Sequence, residues 1–180
     1  MSLPVWLKRL ALCSPLLLTA CAGDEGVDYA RPAACPDVKI LADAERLVKL
    51  GPDNQVQYEA RIIGYTGECR YQDDGGRPTS TTVDMTVGID VVRPVDDQEK
   101  RLAVPYFAAV ISPDQRILGK QLFVLDAGFE AQETTRRFAD RPLSITIPVT
   151  GDNYPADYRI MLGFQLTPQE MAYNRRNAGQ

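Results

Sequence analysis

The residues able to do chemistry in this 180-residue chain are few, and the missing ones narrow the field first. There is no histidine, which removes Ser-His-Asp and Cys-His catalysis together with His-bearing zinc, copper and non-haem iron sites. Ser80, Ser112 and Ser144 sit in neither a G-x-S-x-G elbow nor an S-x-x-K motif. The chain also holds no P-loop, no G-x-G-x-x-G and no C-x-x-C sequence. Carboxylates and thiols are what remain. Asp73-Asp74 and Asp96-Asp97, with Glu99 beside the second pair, fall in expected hairpin loops. Two acids can drive glycoside hydrolysis or hold calcium. Neither loop, however, has the D-x-D-x-D-G spacing that wraps a calcium ion, and adjacent Asp residues between strands serve first as solubilising turn formers. No catalytic residue, metal site or cofactor is therefore expected.

The four cysteines are Cys13, Cys21, Cys35 and Cys69. The first two lie in an opening with a clear layout. MSLPVWLKRL carries only the positive charges Lys8 and Arg9, and a short apolar segment, Leu10 to Leu18, follows it. This is the order of an export signal, and it falls short of the roughly 20 apolar residues needed to span a bilayer. The segment ends Leu18-Thr19-Ala20-Cys21, which closely resembles the lipobox of bacterial lipoproteins. That resemblance implies a diacylglyceryl group on the Cys21 sulfur, cleavage after Ala20, and removal of residues 1–20 as a signal peptide. In lipoproteins of that kind an Asp after the cysteine favours inner-membrane retention, so with Ala22 there the resemblance implies the outer membrane.

Charge fits an anchor of this kind. The chain carries 20 Lys+Arg and 24 Asp+Glu, net −4. Losing residues 1–20, with Lys8 and Arg9, would leave 18 basic residues against 24 acidic ones, net −6. Such a body is repelled by anionic headgroups and by nucleic acid. Attachment would have to come from acyl chains, at about 0.8 kcal/mol per buried CH₂. Residues 21–34, small, acidic and Pro-containing, read as a flexible linker, with a reach of roughly 50 Å fully extended.

Cys35 and Cys69 remain as an even pair in an oxidising compartment, which favours a disulfide. Their separation is unlike that of redox-active C-x-x-C dithiols, so a structural staple at the start of the domain is the expectation.

The elements that must position these groups show a period of two. Apolar and polar residues alternate through Val56–Ile62, Val83–Val91, Leu143–Val149 and Tyr158–Leu166, each a strand with one buried face. Less regular strands are expected at 38–42, 68–72, 106–111 and 117–125. Turns are expected at 64–67, 73–78, 93–98, 112–115 and 151–155, and 43–50 is ambiguous between a helical turn and a strand. Pro105 should mark an edge or a strand start. The pattern predicts an all-β antiparallel β-sandwich of immunoglobulin-like architecture over 35–168, with a small closed barrel as the other solution. Thr167-Pro168-Gln169-Glu170 is a capping box, so a short helix and tail should occupy 169–180, with Arg175 and Arg176 suiting its dipole.

Several phrases are similar to those of small alphaproteobacterial envelope lipoproteins of unassigned activity: Cys35-Pro36 with VKILAD, Tyr58–Gly64 leading to Cys69-Arg70-Tyr71, Pro105-Tyr106-Phe107, and GFQLTPQEMAYNR. The likeness covers most of the chain after Cys21 and implies a lipid-anchored envelope protein facing the periplasm. The expectation is a non-catalytic structural or accessory role through contact with an envelope protein partner, with no nucleic acid involved. Candidate contact residues are Tyr65 and Tyr154 in turns, and Arg175 and Arg176. Tyr65 and Tyr154 would equally suit a glycan or small-ligand module. A carboxylate hydrolase is the third reading.

Overall fold

Alternating stretches become strands here because each can turn its apolar side toward one shared interior. The computed structural model describes residues 34–53, 55–94 and 101–177. The expected signal segment, Cys21, the linker to residue 33, and Asp96, Asp97 and Glu99 lie outside them. Among the described residues, nine strands form two sheets. The first runs in the order β1 (Asp37–Ile40), β9 (Arg159–Phe164), β5 (Arg101–Ile111), β6 (Ile117–Gly128). The second runs β2 (Arg46–Leu50), β3 (Val56–Asp74), β4 (Arg77–Val92). Two short strands share the far edge of β4: β7 (Thr135–Ala139) pairs with its Gly88–Val92 half and β8 (Leu143–Pro148) with Ser80–Met85.

The inner faces of both sheets meet in one cluster. Val83, Met85, Val87, Ile89 and Val91 of β4 pack with Val104, Tyr106 and Ala108 of β5 and with Ile160, Leu162 and Phe164 of β9. Each Val, Ile, Leu, Met or Phe side chain among them, fully withdrawn from water, stabilises the fold by about 1.5–3 kcal/mol. The Tyr58 hydroxyl crosses the cluster to donate to the Ala103 carbonyl at 2.9 Å. This is the expected all-β sandwich.

Four details depart from the sequence reading. One pair, β1 with β9, is parallel; parallel neighbours need a long connection, and the whole domain between them supplies it. The turn expected at 64–67 is instead the middle of β3, a single strand of 19 residues. Register passes from Ile62 opposite Ile89 to Gly64 opposite Gly88, which leaves Ile63 as a bulge. Gly64, with φ 153°, takes the backbone angle that lets pairing resume. Pro105 lies inside β5, a central strand, yet its missing donor falls where the β9 ladder stops. Tyr106 opposite Phe164 is the first registered pair, and the Pro105 carbonyl accepts from Gln165 at 3.1 Å.

The ambiguous stretch 43–50 is both alternatives in succession: a 3₁₀ turn at Ala42–Ala44, then β2. The polar strand β7 has no alternation and was not expected. The final helix, α1 (Pro168–Arg176), begins as the capping box requires, with Thr167 Oγ1 accepting from the Glu170 amide and Glu170 accepting from the Thr167 amide at 2.8 Å. No helix among the described residues is long and apolar enough to cross a membrane.

Candidate functional site

Chemistry on this molecule concentrates on the outer side of the first sheet, where two features adjoin. One is a groove of about 580 Å³ between the 3₁₀ turn, β9 and α1. Leu41, Phe107, Phe164, Leu166 and Met171 make it apolar, and Lys120, Arg175, Gln165 and Asp43 supply its polar rim. Gly163 is what lets the groove form. A Cβ there would sit 2.9 Å from Ala44 Cβ and 3.2 Å from the Phe107 ring, so only glycine allows the 3₁₀ turn and that ring to lie against β9. The far wall is α1, fastened to β2 by Asn174, which donates to the Arg46 carbonyl at 2.6 Å, and by the Lys49–Glu170 ion pair at 3.2 Å. Lys120 Nζ lies 4.0 Å over the Phe107 ring and donates to Gln165 Oε1 at 2.7 Å.

The second feature is β6 itself, the last strand of its sheet. Ile117, Leu118, Leu122 and Val124 are 68, 48, 61 and 54 % exposed, and among the described residues no further strand pairs beyond β6. Leu122 stands opposite Phe107 of the groove and Lys120 opposite Ala109, so the apolar row and the groove are one continuous surface. An open space of about 500 Å³ between Gln121–Val124 and Asp140–Ser144 runs along the same edge.

The expected contact residues divide. Arg175 lines the groove; Arg176, also exposed, is not among its lining residues. Tyr65 lies in β3 after the bulge and directs its hydroxyl to the Val38 carbonyl at 3.4 Å, tying the second sheet to β1. Tyr154 is half-buried at the start of a 3₁₀ turn, Pro155–Asp157. Neither tyrosine lines the groove or the β6 recess. Cys35 and Cys69 form the expected disulfide, with Cα atoms 5.8 Å apart, fixing the start of the domain to the far half of β3. Cys21 lies outside the described residues.

Carboxylates are spread over the surface and held by arginines. Arg137 grips Asp90 with bonds of 2.7 and 2.9 Å from the directly opposite strand position, and that hydrogen bonding lowers the Asp90 pKa. Asp126 is lowered in the same way by Arg101, and Asp114 by Ser112 and then Arg116. These groups are kept ionised, the opposite of what a general acid needs. Asp73 accepts from the Gly76 amide at 3.1 Å, the behaviour of a turn former. Among the described residues, no group of three or more Cys, Asp or Glu could hold a metal ion.

Phe107, Lys120, Met171 and the β6 row were not singled out from sequence. Only the β6 row had a signal: Leu122-Phe123-Val124-Leu125 breaks the alternation, the pattern of a strand apolar on both faces. Comparison with protein-family models, with curated proteins and with solved structures gives no match for this chain.

Proposed function

We propose that this chain is a lipid-anchored protein of a bacterial cell envelope, held at Cys21 with its domain facing the periplasm, whose sandwich acts through protein contact and not through catalysis. The observation that carries the contact role is the exposed apolar row on β6, continuous with the groove. Scattered apolar residues need no explanation, but a contiguous row on a strand edge is a typical place for another chain to sit. The disulfide and capped helix make the domain a firm platform for it, the lipobox-like Leu18–Cys21 supports the lipid anchor, and Ala22 in place of an Asp favours the outer membrane over the inner.

Crosslinking in intact membranes tests the contact role. The wild-type chain should give one defined crosslinked species that the Leu122→Asp variant loses; an unchanged pattern would overturn it. For the anchor, Cys21→Ser should abolish acyl labelling and release the chain from the membrane fraction. A wild-type chain that takes up no acyl label sinks that part.

The groove favours a second reading, a small-ligand module. Its apolar lining, with Lys120 and Arg175 at the rim, suits an amphiphile with an anionic end better than a glycan. A fluorescent fatty-acid analogue should then bind the wild type and lose affinity in Met171→Asp; equal binding by both proteins would end this reading.

A further inference from the structure

We infer that β6 pairs antiparallel with β6 of a second copy of this chain, joining the two first sheets into one across a two-fold axis at Phe123. The inference deepens the contact reading and rests on it.

The backbone of β6 is prepared for such a pairing. The Pro105 carbonyl faces β9, where it accepts from Gln165. In an antiparallel ladder, hydrogen-bonded and non-bonded pairs alternate, so Pro105 and its partner Val124 turn away from each other. The Val124 amide and carbonyl therefore point to the free edge. Two-residue alternation gives Lys120, Leu122 and Asp126 the same direction. Among the described residues, no backbone hydrogen bond from these four leads to another element of the fold.

Side chains select both the occupant and the register. With the axis at Phe123, Leu122 meets the second copy's Val124, and Lys120 meets its Asp126, each pair formed twice by symmetry. In this register all four edge-directed residues exchange backbone bonds, and no charge faces an apolar residue. Moving the axis by one residue to Leu122 or Val124 keeps the backbone pairing possible but sets Lys120 opposite Val124, or Asp126 opposite Leu122. Lys120 makes its described hydrogen bond to a neutral amide, Gln165, so its charge is available to an acid across the axis. Asp126 already holds Arg101 and has the outward oxygen capacity of a carboxylate to accept another donor. A long edge strand with an exposed apolar row would be an aggregation hazard if left bare. Closed two-fold pairing removes it.

The test is sedimentation equilibrium of the full chain in density-matched detergent. Wild type should dimerise. Val124→Pro removes an amide that the monomer does not use and should abolish the dimer. Lys120→Glu and Asp126→Lys, taken singly, should each weaken association by about tenfold, since like charges then face each other twice. Mixing those two variants should restore it, because every contact between unlike copies again pairs opposite charges. Charge variants that associate as wild type does would overturn the register, and a wild-type chain still monomeric at about 100 µM would overturn the dimer. A monomeric chain that nevertheless gives the Leu122-dependent crosslink leaves the contact role standing with a different protein on this edge.

Discussion

Removing the Cys35–Cys69 disulfide is the perturbation whose size follows most directly from the fold. The bridge spans 34 positions, and the chain-entropy relation for a loop of that length gives about 4 kcal/mol at 25 °C. For a domain of this size that corresponds to a fall in Tm of roughly 8–16 °C. Geometry decides how the loss is distributed. The bridge joins Cys35, two residues before β1, to the half of β3 that lies beyond the bulge. There β2 no longer pairs, and Cys69 packs against the core. Strand β1 has only four registered pairs, all with β9, and the long Tyr65–Val38 bond is a weak substitute for a covalent tie. In the Cys35→Ala/Cys69→Ala variant β1 should therefore open locally before the sandwich unfolds, as sparsely held edge elements do. Thermal unfolding by circular dichroism measures the global loss, and native-state hydrogen exchange measures the local one, with β1 and Tyr65–Tyr71 amides losing protection first. A Tm within about 3 °C of wild type, together with β1 amides still exchanging at the global rate, would refute this account.

Four further outcomes follow from named contacts. Gly163→Ala should cost about 1–3 kcal/mol in denaturant unfolding, because its Cβ would press on Ala44 and the Phe107 ring; an unchanged midpoint would show that the groove floor can yield. Arg93 is 6 % exposed, donates to the Glu133 and Glu130 carbonyls, and lies 4.7 Å over the Phe129 ring. Arg93→Ala should therefore cost roughly 2–4 kcal/mol and expose 130–134 to proteolysis. Burial, with the nearby Glu170 charge, pushes the Tyr58 hydroxyl up to about 12. Because the folded value lies above the unfolded one, its stabilising effect is whole below about pH 10 and is lost as pH rises toward 12, roughly 2–3 kcal/mol in all. Tyr58→Phe should flatten that alkaline decline. At the acid end, Asp90, Asp114 and Asp126 have lowered values, so what they contribute is present above the ordinary carboxylate range near pH 4 and fades as pH falls below it. Raising the salt concentration should shrink that acid-side step, since all three pairs are at the surface.

The strands most easily read from sequence were those with one wet and one dry face. Val83–Val91 announces β4 because every second side chain enters the core, and Leu143–Val149 announces β8 for the same reason. Strand β7 was illegible: of Thr-Arg-Arg-Phe-Ala only Phe138 reaches the core, and the strand holds its place through that ring, backbone pairing with β4 and the Asp90–Arg137 clasp. The Gly64–Gly67 stretch looked like a turn because two glycines flank Tyr and Thr. One of them relieves a bulge. The other makes room for β4, since a Cβ on Gly67 would lie 2.4 Å from the Asp84 carbonyl oxygen. Of the surface proposed for contact, Arg175 was visible as a helix-end charge, whereas Phe107 and Lys120 became neighbours only through the β5–β6 register.

By itself, then, the sequence determined the sandwich class, the capped final helix, the cysteine pair and the absence of histidine chemistry. Each of these depends on residue type or on spacing within a short window, where local sterics and the period of burial leave little choice. The tertiary structure decided that β1 joins parallel to β9, that β6 ends its sheet with an apolar row outward, and that Gly163 opens a groove beside it. Those outcomes depend on which distant strands become neighbours. Neighbours are selected by the packing of a whole core, and no window of sequence contains it.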